Sequence, residues 1–273
     1  MTPAITDRLR PSDVAPLLTT RWLGRHYHYC EETASTNSAA SELARDGAAE
    51  GTVVVAEAQT RGRGRLGRAW VSPAYQNLYL SVILRPHIPS GLISQVSLMA
   101  GVAACEAMRE WCPATIKWPN DILVAGRKLA GILAELEGEG PARFVVLGIG
   151  VNLNSGAGDL PPELRDKATS IRIETGAPVD RPRFLARILS HLEVRYDQLQ
   201  HEGFGPIAEA WGAESALIGQ TIRVEEPTGQ VSGVVIGLDA DGALRLRLES
   251  GAEHRIVAGD VTVVGGYPEI NRS

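Results

Sequence analysis

The sequence predicts an α+β protein: a main domain of β-strands and helices followed by a small β domain. Three observations predict it. Two runs rich in β-branched and apolar residues, Gly51–Ala56 and Asn77–Leu84, read as buried strands. Between and after them, apolar residues recur at helical spacing. Beyond about Leu217, roughly 50 residues of closely spaced β-type runs follow with no helical period, the texture of a small barrel.

The elements follow in order. Residues up to about 24, rich in Pro, Thr and Arg, read as an ordered tail with at most one short helix. His26–Cys30 reads as a strand. Ser35-Thr36-Asn37 favours a helix start ahead of Ala39, Ala40, Leu43 and Ala44, with Gly47 as the stop. Leu92, Val96, Met99 and Ala103 step by 4, 3 and 4 and predict an amphipathic helix, with Pro113 marking its end. Asp121–Val124, a turn at Ala125-Gly126 and Leu129–Leu136 read as a hairpin. Phe144–Val151 is another apolar strand. Asp180 caps a helix with Pro182 in its first turn, carrying Leu185, Ile188, Leu192, Tyr196 and Leu199 inward. Short strands at Thr221–Val224, Val231–Leu238, Ala243–Leu248, His254–Val257 and Val261–Val264 then alternate with turns such as Asp241-Gly242. The expected division is 1–24 tail, 25–214 main domain and 215–268 C-terminal domain.

Composition narrows the function. With 273 residues, 44% hydrophobic and 22% charged, the chain has ample material for a core and is not intrinsically disordered. No apolar stretch is read as approaching the ~20 residues of a membrane span, and the N-terminus lacks the order of a secretory signal. Three cysteines, Cys30, Cys105 and Cys112, without CxxC spacing, point to reduced thiols and a cytoplasmic protein. The formal net charge of −5 discourages a general nucleic-acid binder. Yet Arg61, Arg63, Arg65 and Arg68 crowd one eight-residue window, which points to one anionic ligand held at one place.

That window lies in Gln59–Trp70, immediately after a strand. Glycines at 62, 64 and 67 let the backbone approach a ligand and offer its N–H groups. The interleaved arginines match carboxylate and phosphate geometry. Such a loop, with mutually repelling cations, is expected to be mobile until an anion neutralises it. Gly62–Gly67 fits G-x-G-x-x-G literally, but the context is neither a dinucleotide fingerprint nor a Walker loop. A solvated basic turn or an RGG-like nucleic-acid contact is the competing reading.

Lys117 stands one residue before Trp118-Pro119, on a stiff extended segment, and offers a fixed point charge, or else a surface lysine paired with Asp121. Lys128 reads as a polar hairpin residue. Ser35-Thr36-Asn37 is either a bare cap or a polar site at a helix start; Asn152 and Asn154 mark a turn or a ligand edge. His26, His28 and Cys30 alternate as metal ligands on a strand would, but no fourth ligand lies nearby, so no metal site is expected. No Ser-His-Asp or Cys-His signature is present.

Taken together, Ser35-Thr36-Asn37, the Gln59–Trp70 loop, Asn77–Leu80, Lys117–Asp121, Lys128–Leu133 and Gly148–Asn152 resemble the biotin–protein ligases, in that family's order and spacing. The resemblance implies a mixed β-sheet catalytic domain flanked by helices, with a small C-terminal SH3-like β-barrel. It implies that biotin and ATP, with Mg2+, form biotinyl-5′-AMP, and that a lysine of a biotin carboxyl carrier domain of a carboxylase is then acylated. No tightly bound cofactor is implied. Carried over by motif, Ser35, Thr36, Asn37, Gln59, Arg63, Gly64, Arg65 and Lys117 bind biotin. Arg65, Arg68, Trp70, Lys117, Asn120, Lys128 and Asn152 bind ATP or the adenylate, and Lys117, Arg63 and Arg65 are catalytic.

Arg61 stands where the family usually has a small residue, and Val71, after Trp70, is not aromatic. About 25 residues precede the first strand, too few for a winged helix-turn-helix, so a ligase without operator binding is expected, as a monomer or a homodimer. The alternatives are a lipoate or octanoate ligase on the same fold, and a non-catalytic nucleic-acid module built on the Arg-Gly loop.

Overall fold

The computed structural model describes residues 7–140, 143–226 and 229–267. The tail holds one short helix, α1 (Pro11–Val14), and a 3-10 turn. The main region is a seven-stranded mixed sheet built from β1 (Tyr27–Thr33), β2 (Val53–Gln59), β3 (Leu78–Leu84), β4 (Thr115–Lys117), β5 (Asp121–Val124), β6 (Arg127–Glu137) and β7 (Phe144–Val151), in the order β1-β2-β3-β7-β6-β5-β4. Only β1 and β2 run parallel, joined by the crossover helix α2 (Thr36–Arg45); the other neighbours are antiparallel.

The apolar strands are continuous in sequence because both faces of the sheet are covered. Val53, Val55, Leu78, Leu80, Val82, Leu147 and Ile149 face the main core, whereas Val54, Ile83, Phe144 and Val146 pack with Ala40 and Ala44 of α2 on the opposite face. The main core is closed by α3 (Ser94–Met108), α5 (Arg181–Glu202) and α6 (Gly205–Glu214). A short α4 (Ile171–Thr175) starts on Ser170, whose hydroxyl accepts from the Ile173 N–H. Asp180 caps α5 by accepting from the Arg183 N–H at 3.0 Å, and the five inward residues expected on this helix are all buried.

Several boundaries differ from the sequence reading. The first strand starts at Tyr27 and runs three residues past Cys30. Helix α3 stops at Met108 rather than at Pro113, and it is buried on nearly every side rather than amphipathic, because the sheet, α5 and α6 surround it. The expectation that no segment is apolar enough to span a membrane is also corrected. Within the 19 residues 90–108 an 18-residue window reaches mean hydropathy 1.4, but 67% of that window is buried inside the fold, as in a core helix. Helices α4 and α6 escaped the sequence reading altogether.

The C-terminal region is a five-stranded antiparallel sheet of β8 (Thr221–Glu226), β9 (Gly229–Leu238), β10 (Leu244–Arg247), β11 (Glu253–Ile256) and β12 (Val261–Val263), in the order β11-β10-β9-β8-β12. Its apolar residues join the main core. Its Asp241-Gly242 turn rests on the main region, accepting hydrogen bonds from Ser94 Oγ (3.0 Å) and Trp118 Nε1 (3.1 Å).

The tail is fixed by charge. Arg181, fully buried at the start of α5, pairs with the equally buried Glu57 of β2 at 2.7 Å and donates to the Asn77 carbonyl and to Asp7. The other Glu57 oxygen accepts the Leu9 N–H at 2.9 Å. Removing one partner strands a buried charge, so Arg181→Met is expected to lower stability by about 3–5 kcal/mol in urea unfolding. A loss below about 1 kcal/mol would show the pair to be energetically idle.

Candidate active site

The site exists because bulk disappears from the α2 face of the sheet. Along β3 that face reads Ile83, Ser81, Tyr79, and along β7 it reads Val146, Gly148, Gly150. Gly131 of β6 lies opposite Gly150. Side chains from other elements occupy the vacated surface. A Cβ on Gly148 would lie 2.1 Å from Asn37 Oδ1, and one on Gly150 would lie 2.6 Å from the Trp70 indole nitrogen. A Cβ on Gly131 would come within 3.0 Å of the same indole.

Two spaces meet there. The smaller, of about 460 Å³, is lined by Ser35, Thr36, Asn37, Gln59, Arg63, Gly64 and Arg65 together with Tyr79, Leu80, Leu133 and the glycines. The larger, an open cleft of about 1520 Å³, is lined by Arg65, Arg68, Trp70, Lys117, Asn120, Lys128 and Asn152, and reaches Asp260–Thr262 of the C-terminal region. Gly64, Arg65, Trp70, Asn120 and Lys128 line both and form the wall between them. Of the residues assigned to biotin by resemblance, Lys117 alone lies away from the smaller space; every residue assigned to ATP lines the larger. Trp70, Asn120 and Lys128, assigned only to ATP, also line the smaller one.

The start of α2 departs from a simple cap. Ser35 occupies the cap position but its side chain makes no capping bond; instead Gln59 Oε1, reaching from β2, accepts the Thr36 N–H at 2.9 Å. Thr36 and Asn37 are thereby turned toward the sheet, where Ser81 Oγ lies 2.8 Å from Thr36 Oγ1 and 2.6 Å from Asn37 Oδ1.

Three of the four loop arginines, Arg63, Arg65 and Arg68, are held by protein groups, which answers part of the expected repulsion among them. Arg63 pairs with Glu135 at 2.8 Å, Arg65 donates to Asn120 Oδ1 at 3.1 Å, and Arg68 pairs with Asp260. Gly62 closes the loop tightly: a Cβ there would meet the Trp70 carbonyl at 2.5 Å. Asp121 pairs with Lys128 at 2.6 Å rather than taking Lys117, which it faces across the β4–β5 pair, and Lys128 Nζ sits 5.4 Å from the Trp70 ring centre. Burial pulls the Lys117 ammonium below the usual lysine range, against the opposing pull of Asp121 and Asp260. Asn152 lies at the end of β7, its amide bonded to the Thr169 carbonyl at 3.0 Å.

Sequence reasoning missed Ser81 and Glu135, which touch the polar residues from behind, and Asp260, which comes from the C-terminal region. Only the unusual serine inside an apolar strand offered a signal. His26, His28 and Cys30 do not assemble with further ligands: among the described residues no group of three or more His, Cys, Asp and Glu side chains is placed to hold a metal ion. Gly150→Ala is expected to cost about 1–3 kcal/mol through overpacking, read from thermal or urea unfolding. The same change in a Trp70→Ala background is expected to cost far less; an equal cost in both backgrounds would place the clash elsewhere.

The comparisons with known proteins fit this geometry. Residues 29–152 match the profile of the biotin/lipoate A/B protein ligase family, and residues 217–264 that of the biotin protein ligase C terminal domain. The chain is 40% identical over 233 residues to a biotin–[acetyl-CoA-carboxylase] ligase of Paracoccus denitrificans, covering 81% of this chain and 94% of that protein. It is 38% identical over 269 residues to the Mycobacterium tuberculosis protein of the same name, covering 93% and 97%. The bifunctional ligase/repressor BirA of Bacillus subtilis is 38% identical over 257 residues, 93% of this chain and 79% of that protein. Among solved structures, a biotin protein ligase from Aquifex aeolicus in complex with biotin and ATP superposes with a TM-score of 0.77 at 28% identity, over 88% of this chain and 99% of that one. The chain belongs to the biotin protein ligase family, and it is a ligase.

Proposed function

We propose that this ligase joins biotin to ATP as biotinyl-5′-AMP and then passes the biotinyl group to one lysine of a biotin carboxyl carrier domain, as a biotin–[acetyl-CoA-carboxylase] ligase. The observation that carries the reading is the shared wall: a small, polar-lined space opens onto a larger cationic cleft across Gly64, Arg65, Trp70, Asn120 and Lys128. Two ligands seated in them meet at the glycine–arginine loop. Relatives named biotin–[acetyl-CoA-carboxylase] ligase and the biotin- and ATP-bound neighbour support the same substrates.

In this reading a biotin carboxylate oxygen attacks the α-phosphorus of ATP, a C–O–P anhydride forms, and pyrophosphate leaves with the electron pair of the broken P–O bond. Magnesium enters as the counter-ion of ATP. Two anions must approach, so cations fixed in advance lower the barrier where negative charge accumulates. Lys117 and Arg65 serve the reacting oxygens, Arg63 the carboxylate side, and Arg68 and Lys128 the phosphates. Trp70 lies beside the base, with Asn120 and Asn152 on the nucleotide side. Ser35, Thr36, Asn37 and Gln59 hold the ureido ring. The loop then shields the anhydride from water until the carrier lysine attacks the acyl carbon and AMP departs. No protein nucleophile is needed.

The same polar cluster favours biotin over lipoate or octanoate, whose chains lack a ureido group to match it. Arg63 and Arg65 line the cavity walls, which disfavours a general nucleic-acid surface. The three free cysteines, two of them buried, suit a reducing, cytoplasmic setting.

Incubating a carrier domain with enzyme, ATP and biotin is expected to add one biotinyl group by mass spectrometry, with pyrophosphate released. Failure to adenylate biotin would end the proposal, and acylation with lipoate instead would redirect it. Lys117→Ala is expected to keep biotin binding and lose adenylation by about 100-fold in single-turnover experiments. Because Lys117 acts as a cation and its pKa is lowered by burial, wild-type adenylation is expected to fall with rising pH before the ordinary lysine range is reached. An alkaline limb identical in Lys117→Arg would remove that assignment. Arg65→Gly is expected to release free adenylate into solution; retention equal to wild type would count against a lid role.

A further inference from the structure

Behind the smaller space runs a chain of hydrogen bonds whose direction can be worked out from its ends. Glu135, on β6, accepts from Asn37 Nδ2 at 2.7 Å and from Arg63 at 2.8 Å. A carboxylate in these two contacts can only accept, so the edge of the Asn37 amide facing it must be the NH2. The Leu133 carbonyl, 3.4 Å from the same nitrogen, agrees. The opposite edge, Asn37 Oδ1, then faces Ser81 Oγ at 2.6 Å and must receive the serine proton. Ser81 has one proton, so toward Thr36 Oγ1, 2.8 Å away, it can only accept.

The other end is fixed independently. The Thr36 backbone N–H is a donor, so the Gln59 group facing it at 2.9 Å is Oε1, and Gln59 Nε2 donates to Ser72 Oγ at 3.0 Å. Thr36 Oγ1 therefore stands between two acceptors, Ser81 Oγ and Gln59 Oε1 at 3.2 Å. Its single proton goes to one of them. Either way, what the threonine presents to the cavity is a lone pair.

We propose that Ser81 and Glu135 are positioning residues that set the direction of these hydrogen bonds, so that Thr36 offers an acceptor to an N–H donor of the ligand. This rests on the biotin reading and deepens it: a ureido ring carries such donors, whereas an acyl chain or a cyclic disulfide does not. Neither residue is placed to touch the reacting atoms. Ser81 is fully buried in the centre of the sheet, opposite Gly148, whose missing side chain makes the seat for Asn37. The serine is thus the only hydroxyl in the strand Leu78–Leu84 besides the Tyr79 phenol, which bonds the Pro73 carbonyl at 2.9 Å.

Steady-state adenylation by the full-length chain tests the proposal. Ser81→Ala is expected to raise the KM for biotin about tenfold, as loss of one buried, oriented hydrogen bond would. The KM for ATP and kcat are expected to stay close to wild type, while the thermal midpoint falls only by the modest amount that one unsatisfied buried acceptor gives. Glu135→Leu is expected to raise the KM for biotin similarly, and Glu135→Gln to recover most of it, since the amide oxygen can still accept from Asn37. The double variant Ser81→Ala/Glu135→Leu is expected to cost little more than either single change, because both break one chain. An unchanged KM for biotin in Ser81→Ala, additive effects in the double variant, or parallel losses in kcat and ATP affinity would each overturn it. A wild-type chain that makes no biotinyl-adenylate would instead defeat the functional reading itself.

Discussion

A sheet packed on both faces has no room for a ligand unless side chains are taken off it. Here that subtraction falls on Ser81, Gly131, Gly148 and Gly150, neighbours on the α2 face of β3, β6 and β7. Farther along the same face Ile83, Phe144 and Val146 make a dry contact with α2. At the glycines the strands stay fully paired, so rigidity survives while volume opens. Asn37 and Trp70 lie directly on the exposed backbone, at distances a methyl group would forbid. The polar pocket, the seat of the indole and the meeting of the two spaces all depend on this absence of bulk.

Charge then organises what the sheet leaves open. The acidic chain gathers cations from Arg63 to Lys128 around one wall and balances them locally with Glu135, Asp121 and Asp260. Those carboxylates also tie distant parts together: Glu135 links the loop to α2 through Asn37, and Asp260 brings the C-terminal region to the loop. These pairs are partly exposed, and exposed pairs are individually weak, so they can yield to a stronger anion. The buried Arg181–Glu57 pair is of another kind, because neither partner can be left alone away from water.

Most elements were legible in the sequence because their signals are local. A β-branched run must lie in a strand, Asp180 with Pro182 opens a helix, and Ala125-Gly126 turns a hairpin. Helix α6 was not legible: Gly205 and Pro206 at its start hide a helix whose burial of Ile207 and Trp211 is supplied by α3 and α5. The extent of α3 was misjudged for the same reason, since its neighbours bury it all round. The motif residues of the candidate site were legible as types, and the structure brings them to the two adjoining spaces. Their supports were not. Ser81 stands out only as a hydroxyl inside an apolar strand, with no role attached, and Glu135 and Asp260 read as surface charges, until the strands are paired and the C-terminal region docks.

By itself, then, the sequence determined the order of most strands and of the longer helices α2, α3 and α5, the loop that concentrates arginine and glycine, and the family to which those motifs belong. These depend on neighbours along the chain, on backbone freedom and on side-chain chemistry. Only the tertiary structure decided which carboxylate each arginine meets, which face of the sheet is emptied, and which way the hydrogen bonds around Asn37 and Thr36 run. Those outcomes depend on register: a shift of one residue would turn Ser81 and Gly148 to the opposite face of the sheet, and with them the space they open.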